Sequence, residues 1–399
     1  MTRPSPPEGV TGPHLVALDG VRGLAIVLVL FVHFVGDNTP RGVIERSMVR
    51  LANYGAWGVD LFFVLSGFLI TGILWDSKTK PHYFRNFYVR RTLRIFPLHY
   101  AALALLFVVV PRLPIAYPAG LAEAHQHQEW LWAYAGNLYL SLRGTWTALP
   151  FVGHFWSLAV EEHFYLVWPV VVLLCSRRRL LAVCVGCSLF ALGLRSVLAL
   201  SGVSDVALVA LTPCRLDALC IGAFLAVSSR TVGIETLGRH ARPALLVLAS
   251  LVLLTTGWNA VIGALPGIVL PVRGSLVALA FGALLVVTLT SSSDSPVGRV
   301  FRSPTLRFFG KYSYGLYVFQ AIIATWFQAS DVEGRLTDAL RSHALAMVLQ
   351  AAIGVGASTL LAVLSYELFE KHFLRLKGRL APANEAVASP RVPDSARLV

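Results

Sequence analysis

The sequence predicts an all-α polytopic membrane protein with about ten transmembrane helices and both termini in the cytoplasm. Three observations carry that reading. Of 399 residues, 56% are hydrophobic and only 14% charged, and the mean hydropathy is +0.67; a soluble domain carries about a quarter charged residues. Ten apolar stretches approach the roughly 18–25 residues that span ~30 Å of hydrocarbon as a helix. Basic residues alternate between the intervening loops as the positive-inside rule requires.

The ten spans fall near 18–36, 57–75, 95–111, 155–175, 180–200, 206–228, 243–263, 274–290, 312–329 and 344–366. With the N-terminus inside, twenty-four Lys and Arg fall on the inner side and eight outside. Nine or eleven spans would break that alternation. Residues 1–17 read as a Pro-rich leader, not a cleaved signal, because Asp19 and Arg22 interrupt the first run. The outer segment 112–154 carries Trp130, Trp132, Tyr134, Tyr139 and Trp146, a composition suited to the membrane interface. Residues 380–399 are rich in Pro, Ala and Ser and read as a disordered tail.

Composition excludes an ordinary cytosolic enzyme, a disordered chain and a disulfide-stapled secreted domain. The net charge of +13 would suggest nucleic acid in a soluble protein; here it belongs to basic loops, and no nucleic-acid partner is expected. The five cysteines sit in or beside apolar runs without metal-ligand spacing and read as small buried hydrophobes. His125 and His127 lie in a polar loop with no partner motif, so no metal site is expected.

Ionisable residues inside spans are costly and mark candidate sites. Arg22 and His33 are 11 residues apart in the first span. That is about 1100° of turn, so they share a face, separated by ~16 Å along the axis. The alternative for His33 is a structural bond to a neighbouring helix. Arg91 and Arg94, at i and i+3, present two guanidinium forks on one side of a helix start, a geometry suited to a phosphorylated ligand from the cytoplasm. Retention of the loop inside explains them equally well. Asp60 opens the second span at a depth similar to His33, and an Asp–His pair would fix one imidazole tautomer. Asp60 could instead serve the helix dipole. Two adjacent carboxylates, Glu161 and Glu162, stand near the outer end of the fourth span, with His154 on the face of Glu161. Arg215 and Asp217 read as structural, paired with each other or with neighbours.

These motifs, in order, resemble the acyltransferase 3 family of integral membrane acyltransferases. They are Leu18-Asp-Gly-Val-Arg22-Gly with His33, Gly58-Val-Asp-Leu-Phe-Phe-Val-Leu-Ser-Gly-Phe, and Arg91-x-x-Arg94-Ile-Phe-Pro. Trp156-Ser-Leu-Ala-Val-Glu-Glu-His-Phe-Tyr follows, then Arg215-Leu-Asp-Ala, Gly310-Lys-Tyr-Ser-Tyr-Gly-Leu-Tyr and Glu370-Lys. The resemblance covers a membrane domain over residues 15–375. Two departures are His163, where Gln is expected, and His372, where Pro often follows.

The resemblance implies transfer of an acyl group, often acetyl, from acyl-CoA to a hydroxyl, usually on a sugar. No permanently bound cofactor or metal is expected; acyl-CoA is a cosubstrate, and the partners are a sugar-containing acceptor and the lipid bilayer. It implies a functional Arg–His pair in Arg22 and His33 and an Arg pair in Arg91 and Arg94. The expected site therefore has His33 as general base, oriented by Asp60 or Glu161, with Arg91 and Arg94 on the CoA phosphates and Arg22 binding CoA or shaping the site. The expected acceptor is an envelope glycan, its lipid-linked precursor or a glycosylated metabolite, at the inner (plasma) membrane. The alternatives are a macrolide-type antibiotic as acceptor, or a ten-span transporter.

Overall fold

The computed structural model describes residues 13–114, 117–262 and 269–381. The expected leader lies largely outside them, and the expected tail almost wholly so. Helices account for the architecture, and there is no strand among the described residues.

The helices that matter here are α1 (Pro13–Phe31), α2 (Val43–Asn53), α3 (Trp57–Ser77), α4 (Tyr83–Ala104), α5 (Trp156–Leu174), α6 (Arg177–Leu200) and α7 (Leu216–Ser229). They continue with α8 (Ile234–Ile262), α9 (Val269–Thr290), α10 (Pro304–Lys311), α11 (Ser313–Ala329), α12 (His343–Ser365) and α13 (Lys371–Leu380). Eight helical stretches among the described residues are long and apolar enough to cross a membrane, so the chain is a polytopic all-α membrane protein. Two expected spans fall short of that length. The 206–228 stretch is broken into Asp205–Ala210, a 3-10 turn at Thr212–Arg215 and the 14-residue α7. Pro213 has no N–H to continue the first helix. The other is α11, with 17 residues.

Close helix approach organises the core. A Cβ at Gly67 would stand 1.9 Å from the Leu219 carbonyl oxygen, and one at Gly222 1.9 Å from that of Val64. Helices α3 and α7 therefore touch backbone to backbone, as small residues permit in lipid. Likewise α10 lies across α1, where a Cβ at Gly23 would meet the Leu306 carbonyl oxygen at 1.9 Å. That crossing encloses the turn of α1 that carries Arg22.

Beside the α3–α7 contact lies a buried ion-pair network. Arg195 on α6 grips both oxygens of Asp217, at 3.0 and 2.6 Å, and Ser275 on α9 donates to the same carboxylate at 2.8 Å. Arg215 pairs with Asp60 across α3. The segment after α4 folds back rather than running free: the Trp132 ring stacks on Tyr100 at 5.7 Å, and Tyr134 stacks on His99 at 4.2 Å.

Candidate active site

A cavity of about 110 Å³ opens between α1, α3, α4, α5 and α11. Helix α4 runs antiparallel to α5, fixed by the Tyr83 hydroxyl on the Pro169 carbonyl (3.0 Å) and the Tyr88 hydroxyl on that of Leu166 (2.9 Å). That register brings Arg91 and Arg94 level with Glu161, and all three line the cavity together with Arg22. Arg22 is within electrostatic reach of both other arginines and bonds Asp19 at 3.1 Å, one turn back on its own helix.

Glu161 sits on the wall beside two hydroxyls, Ser66 and Tyr165, which bond each other at 2.6 Å. Tyr165 is one turn beyond Glu161, so the two share a face of α5. The Arg91 guanidinium lies over the Tyr165 ring at 5.8 Å. One turn before Glu161 on α5, Ser157 donates to the Tyr317 phenol of α11 at 2.5 Å, and that phenol donates to the His154 carbonyl. The cavity thus holds three guanidinium groups against one carboxyl, lined by hydroxyls that can donate or accept. Such a surplus of positive charge in a partly dry site is built for an anion.

His33 and Asp60 lie outside this cavity. After Phe31 the first helix widens into a π turn, Val32–Gly36, and His33 sits on it. Its Nδ1 bonds Asp37 Oδ2 at 3.1 Å. An ionised carboxylate only accepts, so Nδ1 carries the hydrogen and Nε2 keeps its lone pair. His33 is half-exposed and within electrostatic reach of His154, the residue whose carbonyl Tyr317 holds. Tyr317 therefore links the cavity to the neighbourhood of His33.

The expectation that Asp60 or Glu161 orients His33 is corrected by these contacts. Asp60 is neutralised by Arg215, and Glu161 is engaged with Ser66, Tyr165 and the arginines; Asp37 holds the imidazole instead. Arg215 and Asp217 pair with neighbours, not with each other. Sequence reasoning passed over Asp37, Ser66, Tyr165, Ser157 and Tyr317. Asp37 had a signal, its four-residue spacing from His33. Ser66 and Tyr165 stood inside motifs read for other residues. His163, one of the two departures, bonds Thr212 at 2.8 Å and faces away from the arginines' carboxyl partner.

A family model described as an acyltransferase domain matches residues 15–367. The chain belongs to the acyltransferase 3 family. Among characterised relatives it is 25% identical over 375 residues to the peptidoglycan O-acetyltransferase OatA of Listeria monocytogenes, covering 90% of this chain and 55% of the relative. It is 25% identical over 345 residues to the O-acetyltransferase OatA of Staphylococcus aureus, covering 81% of this chain and 53% of the relative. The chain spans about half the length of these relatives. No solved structure matches.

Proposed function

We propose that the chain is an integral O-acetyltransferase of the bacterial plasma membrane. It takes acetyl from acetyl-CoA on the cytoplasmic side and esterifies a sugar hydroxyl of an envelope glycan, peptidoglycan first among them. The observation that carries this reading is the convergence of Arg22, Arg91 and Arg94 on one cavity whose lining includes the hydroxyls of Ser66, Ser157, Tyr165 and Tyr317. The names of the relatives favour peptidoglycan over a glycosylated metabolite such as a macrolide antibiotic. Family membership favours group transfer over the transporter alternative.

In this mechanism Arg91 and Arg94 hold the donor's phosphates through charge-assisted bonds, with Arg22 adding to the field. Glu161 keeps Arg91 turned into the cavity. The pantetheine arm runs past Tyr317 toward His33. His33 Nε2 takes the proton of the acceptor hydroxyl as its oxygen attacks the thioester carbonyl. The carbon–sulfur bond breaks, and the imidazolium returns the proton to the departing thiolate. Asp37 holds the tautomer and stabilises the imidazolium.

The test is acetyl transfer by the purified protein in nanodiscs, given acetyl-CoA and soluble muropeptides, with products read by mass spectrometry. Wild type is expected to add one base-labile acetyl group. His33→Ala is expected to lose turnover by about 10²–10⁴-fold while still binding CoA. Near-normal turnover by His33→Ala removes the imidazole from the mechanism. No transfer from acetyl-CoA to any glycan by wild type overturns the reading.

A further inference from the structure

Helix α13 follows a third π turn, Tyr366–Glu370, and lies along α4. Its last turn is tied down from α4: Arg90 donates through Nε and Nη2 to the Ala381 carbonyl, at 3.0 and 2.7 Å. Ala381 N–H in turn closes onto the Lys377 carbonyl at 3.0 Å. Residues 291 positions apart are thus fixed side by side, and Lys377 comes to stand next to the arginines of α4. Its ammonium is half-buried and within electrostatic reach of Arg90, Arg91 and Arg94. It has no ion pair among the described residues, and neither do Arg91 and Arg94.

Glu161 and Glu370 are within electrostatic reach of the α4 arginines, but the charges that act on Lys377 are Arg90, Arg91 and Arg94, and a lysine so placed without an ion pair is unfavourable on its own. It is sustained where a polyanion completes the set. The cations also have an order. Arg91 and Arg94 are on the cavity wall, whereas Arg90 and Lys377 are not among its lining residues. Lys377 lies within electrostatic reach of Arg91 and Arg94, and Arg90 is next to Arg91 in the chain. A ligand that puts its thioester inside therefore meets Arg91 and Arg94 first and Lys377 last.

We propose that Lys377, held by the Arg90–Ala381 tether, binds the 3′-phosphate of the donor's adenosine, so that α13 selects a free nucleotide thioester. This rests on the acetyl-CoA reading above and extends it to the donor's far end. A carrier-protein thioester has the phosphopantetheine arm but no adenosine 3′-phosphate, and is discriminated against. Arg90 is a positioning residue, because two of its nitrogens are committed to the helix end.

The experiment is calorimetric titration of the full-length protein in nanodiscs with CoA, 3′-dephospho-CoA and 4′-phosphopantetheine. Wild type is expected to prefer CoA over 3′-dephospho-CoA by about 10-fold or more, the size of one charge-assisted contact. Lys377→Gln is expected to weaken CoA binding by a similar factor and erase that preference. Its affinity for 3′-dephospho-CoA should stay unchanged, which also shows that the variant is folded. Lys377→Arg should restore the preference. Arg375→Gln, an exposed cation on another face of the same helix, should leave all three affinities as they were. A preference for CoA that survives in Lys377→Gln overturns the inference and leaves the acetyl-CoA reading standing. Equal wild-type affinity for CoA and 3′-dephospho-CoA does the same. A wild type that binds neither overturns both.

Discussion

Two of the buried charge clusters among the described residues differ in their counterions. Between α3, α6, α7 and α9, two arginines face two aspartates: Arg195 with Asp217 and Arg215 with Asp60, all buried. Between α1, α4 and α5, Arg22, Arg91 and Arg94 share a cavity with one carboxyl, Glu161. The first cluster is neutral, and every charge is used in joining helices. In the second, Arg22 is paired with Asp19, while Arg91 and Arg94 are in no ion pair among the described residues. An arginine in a membrane span is therefore not a site marker by itself; the sum of charge around it separates a strut from a binding surface.

The largest effect that tests this contrast concerns the neutral cluster. Asp217→Ala leaves Arg195 buried and unpaired, which should cost about 3–5 kcal/mol. Thermal unfolding in detergent should report it as a marked fall in midpoint. Acetyl-CoA affinity of the folded fraction should not change; a specific loss of affinity at normal stability would erase the distinction between the clusters.

A smaller effect belongs to the cationic cavity. Arg91→Ala and Arg94→Ala each remove charge-assisted bonds of about 1.5–3 kcal/mol, weakening acetyl-CoA roughly 10- to 150-fold. The fall in stability should be smaller than for Asp217→Ala, since a like-charge repulsion is lost along with the attraction to Glu161. Binding of a non-hydrolysable acetyl-CoA analogue would show it. Unchanged affinity in folded variants would make the pair topological anchors only. Smallest is Arg91→Lys, which keeps the charge and loses the fork. It should recover part of the affinity lost in Arg91→Ala, and full recovery would mean that the site reads charge alone.

The apolar runs made the helical membrane fold legible, because lipid imposes length and composition on each span separately. Where a span departs from one straight helix, as at Thr212–Arg215, only Pro213 hinted at it. The candidate site was partly legible. Arg22, Arg91, Arg94 and Glu161 stood out as charges in apolar surroundings, but nothing in their spacing says that four residues from three helices meet. Asp60 was matched to His33 by depth, a one-dimensional criterion. Its partner Arg215 is 155 residues away, and that pairing follows from the glycine contact between α3 and α7. Nothing in the sequence names α4 as the neighbour of the basic helix Lys371–Leu380, because that contact is set by tertiary packing.

The cavity wall has a consequence for biogenesis. Its residues run from Arg22 through Ser66, Arg91 and Glu161 to Tyr317, so its closure waits on the last-made of these. While a growing chain inserts span by span, the arginines of α1 and α4 enter the bilayer long before α11 is synthesised. An intermediate lacking α11 holds charges without walls. Such a species has to keep those charges hydrated at the bilayer edge or lean on an insertion factor. The cavity is then completed late and all at once, when the last wall docks.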